Sequence, residues 1–166
     1  MKLGLAPGSL RLVPYDPAWV AEFERLSTEL LKGLPFGVSI HHIGSTAVPG
    51  LAAKPILDMA MAAAPTQHDA IASALTRSSW IDRGERSGRL FIRQTSDHGR
   101  THNLHLYAPD APELLDQLVF RDRLKADSML RDTYAAHKQA LIDGGCPRGQ
   151  YAEAKTDFIR SALDRP

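Results

Sequence analysis

The residues with the clearest capacity for chemistry stand between positions 41 and 58. His41-His42-Ile43 leads into Gly44-Ser45-Thr46, and Asp58 follows within Ile56-Leu57-Asp58-Met59. Glycine permits close backbone approach, and the hydroxyls and amides of a Gly-Ser-Thr turn can cradle phosphate, above all where the turn opens a helix. A carboxylate among apolar strand residues is costly unless it is paired or bound to a cation. Phosphate donors beside a cation-seeking acid suit a nucleotide. A structural Asp58, held by local hydrogen bonds alone, is the plainer alternative.

Other residues extend this set. Between positions 83 and 100, Arg83, Arg86, Arg89, Arg93 and Arg100 face only Glu85 and Asp97, a local charge of +3 that would attract a polyphosphate. Arg89, Phe91 and Arg93 alternate with Leu90 and Ile92, so Arg89 and Arg93 are expected on one polar face, as phosphate ligands or as part of a solvated hairpin. Lys155 falls in the apolar stripe of Tyr151 and Phe158. There it must snorkel, pair with Asp58 or Asp122, or hold phosphate. Lys54, just before the Asp58 strand, is a further phosphate ligand or a solvent-exposed lysine.

Alternation sorts the histidines. His102, Leu104 and Leu106 share one strand face, and Asn103, His105 and Tyr107 the other. The leucine face belongs to the core, so His102 reads as a satisfied core histidine. His105 is open to service as a general base, a metal ligand or a phosphate donor, or to a bland role as a hydrogen-bonded surface histidine. His41 and His42 point oppositely, so at most one reaches a site. A transition-metal site built from His42, His102 and His105 is a third possibility.

The elements that must position these groups can be outlined. Asp16-Pro17 starts a helix carrying Trp19, Phe23, Leu26, Leu30 and Leu34, with Gly33 near its end. Strands are expected at 37–43, 54–62, 89–95 and 101–107, with a helix at 66–76. Apolar stripes then mark helices near 114–119 and 130–142, and a last one from Tyr151 to Ala162. An early helix, a central sheet and a helical last third give an α+β fold, expected as a single domain over residues 1–166.

Composition limits the partners. Over 166 residues, 20 Lys and Arg face 19 Asp and Glu, a formal net charge of +1, which excludes a chain-wide basic surface for nucleic acid. A single cysteine, Cys146, excludes an internal disulfide and any cysteine-based zinc cluster, and suits a reducing compartment. The longest apolar stretch, 56–65, is too short to span a bilayer, and the first residues lack a cleavage pattern. The expectation is a cytoplasmic protein with no membrane partner; its oligomeric state is not encoded in any motif.

The run HHIGSTAVPGLAAKPILDM at 41–59 resembles the signature of the GrpB family. The resemblance extends to Val13-Pro14-Tyr15-Asp16-Pro17, Asn103-Leu104-His105-Leu106, Phe120-Arg121-Asp122 and Tyr151-Ala152-Glu153-Ala154-Lys155. It implies a nucleotidyltransferase-like fold: a mixed β-sheet with helices packed on it and a helical C-terminal third. By that resemblance Gly44 and Ser45 hold nucleotide phosphates; Thr46, Lys54, Arg89, Arg93 and Lys155 are the further phosphate-binding candidates that residue type and position add. Asp58 is the first acid of an Asp-x-Asp/Glu metal strand. Ala60 stands where the second acid belongs, leaving a hole beside Asp58, and His105 is the nearest substitute for the third. The implied function is binding of a nucleoside triphosphate or phosphorylated metabolite. Its fuller form is nucleotidyl or phosphoryl transfer, with Asp58 and His105 as catalytic residues and ligands of one Mg2+ or Mn2+. The alternative is a catalytically degenerate binding module.

Overall fold

Asp16 opens the first helix as its residue type predicts, its carboxylate accepting the Ala18 N–H at 2.9 Å. In the computed structural model, which describes residues 3–97 and 99–164, this helix is α1, Ala18–Lys32. It buries Trp19, Leu26 and Leu30, the helical spacing of the sequence realised as one core-facing stripe. The chain continues through β1 (Ser39–Ile43), β2 (Leu57–Ala62), α2 (His68–Arg77), β3 (Ile81–Arg86), β4 (Gly88–Thr95) and β5 (Gly99–Tyr107). It closes with α3 (Pro112–Ala126), α4 (Ser128–Asp143) and α5 (Thr156–Leu163). Short 3-10 turns occupy Ser45–Ala47, Pro65–Gln67 and Glu153–Lys155.

The five strands form one mixed sheet in the order β1-β2-β5-β4-β3. Only the central β2–β5 pair is parallel; the others are antiparallel. Leu57, Met59 and Met61 of β2 point to one face with Leu104, Leu106 and Phe91, where Trp19, Leu26, Ile71, Leu75 and Trp80 complete the main core. Each such side chain contributes roughly 1.5–3 kcal/mol by leaving water. The opposite face carries Asp58, Ala60 and Ala62, which pair with Asn103, His105 and Tyr107. Part of it is closed by Leu114 of α3, which clusters with Ile43, Ala60, Ala62 and Tyr107. A third cluster joins α3, α4 and α5 to Val48 and Leu51 of the β1–β2 loop. The helical last third therefore anchors the segment that follows Gly44-Ser45.

The α+β class, the mixed sheet and the helical last third are as expected. β3 was not expected as a strand: Ile81-Asp82-Arg83-Gly84-Glu85-Arg86 is an edge strand, almost wholly exposed, with no apolar alternation to announce it. The strand expected over 54–62 begins only at Leu57. Tyr151 precedes the final helix, whose regular part starts at Thr156. No helix of the described residues is long and apolar enough to cross a membrane.

Candidate functional site

Gly44 ends β1 at φ 68° and ψ −170°, a region open almost only to glycine. A Cβ there would lie 3.0 Å from Asp58 Oδ2 and 3.1 Å from Asp58 Cβ. The glycine is therefore needed twice, for its backbone angles and because the Asp58 carboxylate packs against it. Asp58 is half-buried and accepts a 2.7 Å hydrogen bond at Oδ1 from Asn103 Nδ2, its register partner on β5. Asn103 Oδ1 is buried and has no partner among the described residues.

Ser45 is held from the far end of the chain. Lys138 of α4 donates to Ser45 Oγ at 3.0 Å and also to the Ala52 carbonyl. Its ammonium lies 4.9 Å from the centroid of the Tyr134 ring, and the side chain is 1% exposed. Burial, reinforced by Lys155 and Lys54, pushes the Lys138 ammonium down to about 7. Lys155 Nζ lies 4.7 Å and Lys54 Nζ 5.2 Å from the Tyr151 ring centroid. Burial, then repulsion from Lys54, brings Lys155 down to about 8, and Asp58 opposes the shift. Lys54 is lowered for the same first reason; Asp58 opposes it while Arg148 and Arg100 add to it.

Of these groups Lys54 lines a cleft of about 990 Å³, together with Arg83, Arg86, Arg100, Asn103 and Arg148 among others; Asn103 ties that lining to Asp58. Burial and then Arg148 and Arg83 lower Arg100, the signature of cations packed against cations. Asp82 is the one acid on the lining, and its Oδ2 is already engaged by Arg89 Nη2 at 2.7 Å. Arg148 donates to the carbonyls of Ala6 and Ser9, which fixes the loop before α5 against the N-terminal segment.

The structure thus brings Gly44, Ser45, Asp58, Lys54 and Lys155 to one end of the sheet. It does not bring Arg89 and Arg93 there. Arg89 pairs with Leu106 and Arg93 with His102 across β4–β5, so both project to the α1–α2 face. Arg89 binds Asp82 and Asp69, while Arg93 stacks 4.7 Å from Trp80 and donates to the Ser78 carbonyl. The arginines do share a face, as alternation requires, and it is the face opposite Asp58. Thr46 also turns away: it is buried and joined at 3.0 Å to His42 Nε2, whose ring stacks on Phe23.

His105 lies on the Asp58 face but in the next row, paired with Ala60, and its Nδ1 meets the Ser87 carbonyl at 3.1 Å. His42 and His102 occupy the opposite face, so the sheet divides the proposed histidine triad. Burial lowers each of these two to about 4. His102 is a core histidine only half satisfied: Nδ1 meets Thr101 at 2.9 Å, while Nε2 is buried without a hydrogen-bond partner among the described residues, 3.7 Å from Glu22 Oε1. His41 is on the cleft side of β1, beside Ala60, and is bonded to Ser39. Ala60 itself is no open hole. It is 0% exposed, sealed among Ile43, Tyr107 and Leu114.

The expected ligand ions of Asp58 and His105 are Mg2+ or Mn2+. These ions take hard oxygen ligands, usually several carboxylates or carboxylates with phosphates. Among the described residues no group of three or more His, Cys, Asp or Glu is arranged to hold a metal. Asp58 is a lone carboxylate beside lysines, so the residues present do not fit a resident divalent ion.

Lys138, Arg148 and the cleft positions of Arg83, Arg86 and Arg100 complete the site. Lys138 carries the same sequence signal as Lys155: it continues the Leu130–Tyr134 stripe four residues on.

A family model described as GrpB protein matches residues 9–165. A UPF0157 protein of Streptomyces coelicolor is 35% identical over 156 residues, covering 93% of this chain and 82% of that one. The crystal structure of a conserved protein GrpB from Enterococcus faecalis superposes with a TM-score of 0.79 at 30% identity, over 92% of this chain and 94% of that one. A fainter similarity, TM-score 0.47 at 13% identity, extends to the Cid1 poly(U) polymerase over 76% of this chain and 45% of that one.

Proposed function

For this chain, which belongs to the GrpB family, we propose binding of a phosphorylated small molecule, in the simplest case a nucleoside triphosphate, in the cleft beside Gly44-Ser45. The observation that carries this reading is an imbalance of charge. Lys54, Arg100 and Arg148 line the cleft from three different segments and Lys155 stands near Lys54 at the Tyr151 ring, while Asp58 is the acid that offsets Lys54, Lys155 and Arg100. Half-buried cations that lower one another's proton affinity are costly without a counter-charge, and a polyphosphate supplies it. Lys138 acts through Ser45, fixing the hydroxyl so that it and the turn amides can face a phosphate oxygen.

The degenerate binding module is favoured over transfer chemistry. A second metal-holding acid has no room at Ala60, and His105 stands in the next row from Asp58. We assign no catalytic step to Asp58 or His105; Asp58 offsets part of the charge of Lys54 and Lys155.

The test is a thermal-shift panel of ATP, GTP, CTP and UTP, each with EDTA, Mg2+ or Mn2+. A rise in Tm with at least one nucleotide is expected. No shift across the whole panel overturns the reading.

A further inference from the structure

Cations crowd the cleft where a metal-dependent phosphate site would gather carboxylates. Asp58 Oδ1 is bonded to the Asn103 amide at 2.7 Å, and Oδ2 packs against Gly44. The place two residues along β2, on the same face, is filled by a sealed alanine. Lys54, Arg83, Arg86, Arg100 and Arg148 line the cleft, and Lys155 shares the Tyr151 ring with Lys54, their ammonium groups 4.7 Å and 5.2 Å from its centroid. A divalent ion approaching Asp58 would meet the repulsion of this array. A polyphosphate would meet the reverse, because its adjacent negative charges need neutralising and the guanidinium forks and ammonium groups do so directly.

We infer that the cleft takes its ligand as the metal-free polyanion, with Lys54, Lys155, Arg100 and Arg148 in the place of divalent cations, so that Mg2+ competes with the protein for the phosphates. The ligand class is a small molecule with two or more linked phosphates, whether a nucleoside polyphosphate or a bare polyphosphate. This inference rests on the anion-binding reading above and adds a sign to it. Magnesium removes charge from the ligand and occupies the oxygens that the side chains would hold. It therefore weakens binding, whereas at a carboxylate-lined site it would strengthen it.

Calorimetric titration of the full chain with ATP and with inorganic tripolyphosphate, in EDTA and then in excess Mg2+, tests the idea. Binding is expected in EDTA, with affinity about tenfold or more weaker in Mg2+. Equal affinity for the two probes assigns recognition to the phosphates alone, and tighter binding of ATP adds a contact with the nucleoside; both support the inference. Binding that is unchanged or tighter with Mg2+ overturns it and leaves the anion-binding reading standing. Absence of binding under every condition overturns both. Asp58→Asn, which keeps the shape and removes the charge, gives an independent check. Metal-free ATP should bind this variant at least as tightly as the wild type, and a tenfold loss contradicts the inference.

Discussion

Gly44 carries a double demand, a φ of 68° with ψ near −170° and an Asp58 carboxylate 3.0 Å from where a Cβ would stand. Gly44→Ala should therefore cost about 1–3 kcal/mol of stability in urea unfolding. Ala60→Asp is a second test of local packing. Placing a carboxylate at a 0% exposed site among Ile43, Tyr107 and Leu114 should destabilise by at least about 2 kcal/mol, rather than restore a metal strand. The lysines give a pH dependence. Lys138 near 7 and Lys155 near 8 lie below their ordinary value of 10.5, so between these limits the unfolded chain binds more protons. Stability of the ligand-free protein should rise with pH from about 7 toward 10, and Lys138→Met should flatten that rise in thermal unfolding. Anion affinity should move the other way, falling between pH 7 and 9 as the ammonium groups lose charge. At this scale the sequence displayed Gly44, Ser45 and Asp58 through residue type and spacing. The Asp58–Asn103 bond, 45 residues apart, depends on a parallel pairing that no local pattern encodes.

The edge strand β3 shows how an element selects which charges meet. Arg83 and Arg86 both line the cleft although an odd separation would send them to opposite faces of a regular strand. The register shift between Asp82 and Glu85, with Gly84 at φ 75°, supplies the extra residue that restores them to one side. A β-branched residue cannot hold that angle, so Gly84→Val should reduce affinity for tripolyphosphate about tenfold while far-UV circular dichroism holds. Deleting Gly84 removes the bulge yet keeps both arginines on one face, and should preserve binding in the same titration. Alternation correctly grouped Arg89 with Arg93, but periodicity cannot say which face of a sheet meets which helices. Phe91 belongs to the α1–α2 core, and the two arginines flank it there. The helical expectations fared better because long apolar stripes and the Asp16 cap carry their own evidence.

Over the whole molecule a net charge of +1 conceals a separation of sign. Partly exposed pairs such as Arg25–Glu22 and Arg121–Asp122 neutralise one another locally, while the cleft keeps its cations. Field of this kind steers small anions and is screened by salt, so affinity for a polyphosphate should fall as ionic strength rises. The claim that joins residue, element and molecule is that phosphates occupy this cleft. Crystals soaked in metal-free ATP test it most directly. The account predicts phosphate density between Lys54, Lys155, Arg100 and Arg148, beside the Gly44-Ser45 turn. Density on the Arg89–Arg93 face, or none at saturating ATP, would contradict it.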